Sequence, residues 1–204
     1  MLFRSEQRTR YVTVVLEDIF QSQNASAVVR TCECMGLQDV HVVESKSAYS
    51  VNKKVIKGAN KWIDLIRYRG KDSNNIEDCY KHLREKGYSI LVTEPDAKGS
   101  SIDEISMTDQ PLAIVMGNEL EGASKYASEH ADVKVKIPMY GFTESLNISV
   151  SAAICLNTLI PKIRQSDAPW QLTTAEKEFI RLQWYRKIVK RSEIIEKEFL
   201  RSIE

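Results

Sequence analysis

Short runs of branched apolar residues alternate along this chain with stretches whose apolar positions recur every three or four residues. Residues 11–16 are a β-branched run and predict a strand; residues 25–35 have helical spacing and are stopped by Gly36. Residues 40–43 predict a second strand and residues 62–68 a third, entered from the basic, glycine-bearing stretch 53–61. Asn74 and Glu77 have the spacing of a capping box, opening a helix that reaches Lys86 and ends at Gly87. Residues 90–93, 112–116 and 133–137 are short apolar strands, and a helix after Asn147 is expected to run to about Ile160. Several strands are too apolar to be half exposed. Alternating with helices, they predict an α/β fold, a mainly parallel sheet with helices on both faces.

Residues 165–169, Gln-Ser-Asp-Ala-Pro, read as a linker, so the chain is expected to divide into a core of 1–164 and a C-terminal helical extension of 165–204. Thr173 and Glu176 give the extension a capping box. Phe179, Leu182, Tyr185, Val189 and Phe199 recur at roughly helical spacing and predict a stripe docked on an apolar surface. Around them lie Arg181, Arg186, Lys187, Lys190 and Arg191, interleaved with Trp184 and Tyr185. A charge run of this kind is ordinarily a solvated face, whereas the interleaved aromatics suit RNA backbone contact and base stacking.

Composition narrows the classes. In 204 residues, 43% are hydrophobic, enough for one compact domain with a full core. The 29 Lys and Arg nearly cancel the 28 Asp and Glu, so any nucleic-acid binding must come from local patches. Cys32 and Cys34 are two apart in a helical pattern, a poor metal pair, and the three His make no zinc spacing. The cysteines therefore read as free thiols of a reducing compartment. Arg4, Glu6, Arg8 and Arg10 do not fit a signal peptide, and no uncharged apolar run reaches membrane-spanning length, so a soluble cytoplasmic protein is expected.

Three blocks could carry chemistry. The first, Asn24-Ala25-Ser26-Ala27-Val28-Val29-Arg30-Thr31, follows the first strand; Asn24 is most economically a helix cap and Arg30 a surface ion-pair residue. In the second, Gly117-Asn118-Glu119-Leu120-Glu121-Gly122, two glycines bracket carboxylates where α/β sheets bind ligands. The third runs from Ile137-Pro138-Met139 through Ser145-Leu146-Asn147 into a helix, and gathers a hydroxyl, a carboxamide and loop backbone at a helix N-terminus. Asn147 or Ser145 would serve equally as a cap. Neither a dinucleotide fingerprint nor a P-loop occurs.

In order, these blocks resemble the three motifs of the SpoU (SPOUT-class) RNA 2′-O-ribose methyltransferases, over roughly residues 10–162. Glu17-Asp18, the block through Thr31, Lys57-Gly58 and Lys61-Trp62 are most similar to its TrmH branch, which modifies a guanosine of tRNA. The resemblance implies a C-terminal deep trefoil knot, a rare exception to unknotted topology, and a homodimer. It implies S-adenosylmethionine held by Thr93, Gly117, Asn118, Glu119, Ile137, Met139, Ser145 and Leu146. Arg30 is nominated for catalysis, with Asn24, Glu119, Ser145 and Asn147 in support. An arginine stays protonated, so phosphate clamping or alkoxide stabilisation suits Arg30 better than a base role. No metal is required. RNA is expected on Lys53, Lys57, Lys61, Arg186, Lys187, Lys190 and Arg191, the more so because only ten residues precede Tyr11, where that branch carries a helical segment. Two alternatives stay open: ribosomal RNA as substrate, and a knotted RNA-binding factor without turnover.

Overall fold

The computed structural model describes residues 1–95, 100–106 and 110–203. The chain forms two compact units, one of Thr9–Trp170 and one in which Met1–Arg8 joins Gln171–Glu204. Helix α1 (Leu2–Glu6) opens the terminal unit; no periodicity had marked it.

The larger unit contains β1 (Val12–Glu17), α2 (Ser22–Cys34), β2 (Asp39–Val43), α3 (Lys53–Ile56), β3 (Asp64–Tyr68), α4 (Asn75–Glu85), β4 (Ser89–Thr93), β5 (Ser100–Ser101), β6 (Leu112–Met116), α5 (Lys125–Glu129), β7 (Val133–Lys136) and α6 (Ile148–Gln165). The sheet order is β3-β2-β1-β6-β4-β7-β5, and every pairing is parallel, with Val14 in register with both Val40 and Ile114. Strands with two covered faces must be apolar at every position, and β1 and β6 are buried throughout. Alternate residues feed separate cores. Val12, Val14, Leu16, Ile114 and Met116 join Val28, Cys155 and Leu159 on the face of α2 and α6. Val15, Ala113 and Val115 join Cys79, Leu83 and Ala127 on the face of α4 and α5.

Several local expectations are corrected. Trp62 and Ile63 precede β3 rather than belong to it, and the basic stretch holds a short helix capped by Asn52, whose side chain accepts from the Lys54 amide at 3.1 Å. Asn74 makes no cap bond to the backbone; its amide meets Glu77 instead, while the Asn75 carboxamide takes the Gly70 amide at 2.7 Å. Helix α6 continues through Pro161 to Gln165, although a proline gives up one helical bond. Buried Ile160 and Ile163 on either side hold that last turn in the core.

In the terminal unit, α7 (Thr174–Ile188) has the expected capping box at Thr173 and Glu176. The single long helix does not occur: after Val189 the chain turns through Arg191, at φ 58°, into α8 (Ser192–Ile203). Nor is the anticipated stripe buried. Phe179, Leu182, Tyr185, Val189 and Phe199 are all exposed, and Ile180 and Trp184 are the buried positions of α7. The Arg8 guanidinium lies 5.3 Å from the centre of the Trp184 ring, and Lys177 meets Glu6 at 2.6 Å. Trp184 is thereby removed from the aromatics that could stack on a base. Among the described residues, no helix is long and apolar enough to cross a membrane.

Candidate active site

Strands β1, β6, β4 and β7 are neighbours in the sheet, so the loops that leave their carboxyl ends converge. Between them lies a cleft of about 560 Å³, within the range of small-molecule sites. Asn24 follows β1, Gly117 to Gly122 follow β6, Thr93 to Pro95 follow β4, and Ile137 to Ser151 close the wall after β7. All eight residues expected to touch a cofactor line this cleft: Thr93, Gly117, Asn118, Glu119, Ile137, Met139, Ser145 and Leu146.

The β6 loop is folded back on itself. Asn118 and Gly122 exchange backbone bonds at 3.0 and 3.1 Å, and the Asn118 carboxamide oxygen accepts from the amides of Leu120 and Glu121. A Cβ on Gly117 would stand 2.0 Å from the Gly122 carbonyl carbon and the Ala123 nitrogen, so no other residue fits this approach. Gly122 completes the turn at φ 72°.

Glu119 projects from that loop to the start of α2. Its carboxylate accepts from the amides of Phe20 and Gln21 at 3.2 and 3.4 Å and from the Asn24 side chain at 2.7 Å. These amides immediately precede α2, where a carboxylate opposes the positive end of the helix dipole. Asn24 is therefore not the cap expected; it lies inside α2, buried, and donates its side-chain NH₂ to Glu119 of another loop.

The polarity of the contacts is forced. An ionised carboxylate only accepts, so Asn24 turns its NH₂ towards Glu119 and its oxygen towards Asn147, whose NH₂ donates to it at 3.1 Å. The Asn147 oxygen is left to accept from the Ser149 amide at 2.9 Å, which caps α6. One hydrogen-bonded chain thus joins all three blocks. Two backbone donors in it, at Phe20 and Gln21, were not anticipated; their signal was their place just before a helix.

Supporting loops are tied in the same way. Glu17, at the end of β1, accepts from the Ser124 amide at 2.9 Å, and burial raises its pKa despite that bond. Asp18, at φ 51°, accepts at one oxygen from the amides of Ser45, Lys46 and Ser47.

Arg30 is not a cleft residue of its own chain. It lies six residues beyond Asn24, about 9 Å along the helix, exposed, with one 3.4 Å bond to the Val55 carbonyl. Lys53, Lys57 and Lys61 are exposed on the neighbouring stretch. In the terminal unit Lys187, Lys190 and Arg191 are exposed, and Arg186 is engaged by Glu196, through its Nε at 3.0 Å and through its Nη2.

Known proteins resemble this chain in sequence and in fold. The sequence profile of the SpoU rRNA methylase family matches residues 11–157. The chain belongs to that family. A tRNA (guanosine(18)-2′-O)-methyltransferase of Borreliella burgdorferi is 44% identical over 189 residues, spanning 93% of this chain and 84% of that protein. The TrmH/SpoU tRNA modifying enzyme of Aquifex aeolicus superposes with a TM-score of 0.79 at 25% identity, covering 93% of this chain and 95% of its own. The SpoU methyltransferase AviRb from Streptomyces viridochromogenes, solved with the cofactor AdoMet, shares the fold at a TM-score of 0.66 and 21% identity, covering 81% of this chain and 66% of its own. The chain thus shares with its SpoU relatives an α/β fold, here built on a seven-stranded parallel sheet.

Proposed function

We propose that this SpoU protein transfers a methyl group from S-adenosylmethionine to the 2′-hydroxyl of a ribose in tRNA, at guanosine 18 of the D-loop. The observation that carries the reading is the Glu119–Asn24–Asn147 chain on the wall of a single cleft, in a protein 44% identical to a relative named for that reaction. The cleft fits the cofactor chemically. Its floor mixes apolar Met116, Ile137 and Ile148 with loop backbone, and Glu119 and Glu144 suit a cationic sulfur. Gly117 and its neighbours would hold the adenosine through main-chain groups, as the compact β6 loop keeps side chains out of the way.

When bound, the cofactor supplies a methyl carbon already activated by a positively charged leaving sulfur. What this chain must add is alignment and a place for the hydroxyl's proton and charge; orientation alone is worth several kcal/mol. Asn147, held in one orientation by Asn24 and Ser149, and Ser145 beside it would position the ribose. Arg30 would clamp a phosphate or settle the developing alkoxide with its fixed cationic fork, which needs no loss of its own proton.

Its place six residues along α2 from Asn24, outside its own chain's cleft, supports a homodimer in which the arginine enters the partner's cleft. Support for the knot comes from the chain path: β7 lies beyond β4, yet α6 returns to pack against α2 beside β1. Lys53, Lys57 and Lys61, with Lys187, Lys190 and Arg191, would contact RNA phosphates; Arg186 would first have to release Glu196.

Methyl-acceptor assays with purified tRNA and with rRNA fragments test the substrate, and mapping of the methylated ribose tests the position. Arg30→Lys is expected to lose most turnover while calorimetry shows cofactor binding nearly intact. Wild-type turnover by that variant would remove Arg30 from the mechanism.

A further inference from the structure

We infer that Tyr140 and Phe142 form an aromatic platform that stacks on the base of the nucleotide presented to the cleft, an assignment resting on the RNA methyl-transfer reading above. Their side chains are 98% and 107% exposed, whereas Met139 before them and Glu144 after them line the cleft wall. Tyr140 is one Cα step, about 3.8 Å, from a wall residue, so the rings stand at the mouth of the cleft. That is where the base of a nucleotide must lie if its ribose is to reach the methyl donor.

The chemistry of the loop selects a base rather than a phosphate. Lys136 stands at one end of the loop and Glu144 at the other. Lys134, two residues before Lys136, is paired with Glu94, and Glu121 of the cleft wall is paired with Lys46. The rings therefore offer π-faces in a locally balanced field, which suits a neutral planar group of any sequence. A second cleft of about 360 Å³, sharing Lys136, Met139 and Glu144 with the first, leaves room beside them and is walled by Pro95, Pro138 and Thr143. Gly141 between the rings has neither a positive φ nor any atom within 4 Å of a would-be Cβ, so packing does not demand it. What it adds is freedom for the two rings to adjust to a guest.

Tyr140→Ala, Phe142→Ala and the double variant would be assayed for methylation of an unmodified tRNA transcript, for cofactor affinity by calorimetry, and for oligomeric state by light scattering. Loss of each ring is expected to raise the RNA KM by roughly 5- to 150-fold, the span of base–aromatic stacking, with cofactor affinity and oligomeric state unchanged. Tyr140→Phe and Phe142→Tyr should restore the wild-type KM, since either ring presents a π-face. Phe142→Trp should add a fluorescence signal quenched by the transcript. An unchanged KM in the alanine variants overturns the inference. So does a loss that tracks with a changed oligomeric state, which would assign the rings to a second copy of the chain. A wild-type protein that methylates no RNA overturns the function reading itself, and is recognised without any variant.

Discussion

Replacing Glu119 by Gln tests the wall of the cleft at its most connected point. The carboxylate accepts from two backbone amides and from Asn24. A glutamine keeps one acceptor and brings an NH₂ where a second donor already points. The Asn24 contact falls from a charge-assisted bond to a neutral one, a loss of about 1 kcal/mol. Removing a negative charge from the start of α2 costs a further 0.3–1 kcal/mol or so. Glu119 is only partly buried, so water can satisfy some of what is left, and the total should be about 1–2 kcal/mol. For a chain of this size that is a fall in Tm of roughly 2–8 °C. Because Asn24 can now turn over, the Asn147 NH₂ loses its fixed acceptor as well, and cofactor affinity should fall with stability. Differential scanning calorimetry with and without S-adenosylmethionine reads both. If Tm and the cofactor-induced shift were both those of the wild type, the Glu119–Asn24–Asn147 chain would not hold the site, and the reasoning built on it would fail.

Gly117→Ala should abolish cofactor binding in calorimetry while leaving a folded circular-dichroism spectrum, because its Cβ can be placed only by opening the β6 loop. His41 should make stability depend on acid: burial, with smaller contributions from His82 and Lys86, lowers its pKa from 6.5 to about 3. Its neutral form is the folded one, so its contribution is complete above pH 6.5 and is lost as pH falls towards 3, at up to about 1.4 kcal/mol per unit. Glu17 and Asp39, whose pKa values burial raises, act in the opposite sense, so the readout is the difference in acid slope between wild type and His41→Phe in urea titrations. Equal slopes would refute it. Affinity for tRNA should drop steeply with salt, and Lys53→Ala with Lys57→Ala should flatten the slope by nearly two units if both contact phosphate.

Much of this molecule was legible because its signals were local and agreed with one another. Strand runs in β1, β4 and β6 and the ordered motif blocks placed eight lining residues in one cleft. The misreadings have a common cause, which is that tertiary partners override local roles. Asn24 had the composition of a cap, but its side chain is taken up by a carboxylate from a loop 95 residues away. Asn74 and Asn75 are adjacent amides, and only the path of the Gly70 turn decides which one closes it. The apolar spacing of α7 was real, yet Ile180 and Trp184 are buried and the predicted positions are not, because helical period alone does not say which neighbour a stripe faces. Arg30 was nominated from its motif, yet it does not line the cleft of its own chain.

Asp18 shows how a position remote from any chemistry can be narrowly constrained. It must hold a left-handed backbone and present one oxygen to three successive amides of the loop after β2. Glycine would supply the conformation without the acceptor, glutamate the charge on too long an arm, and asparagine the shape without the full charge. Few replacements can therefore tie the loop after β1 to the loop after β2, and a laboratory library screened only for activity would find this site nearly as intolerant as the cleft.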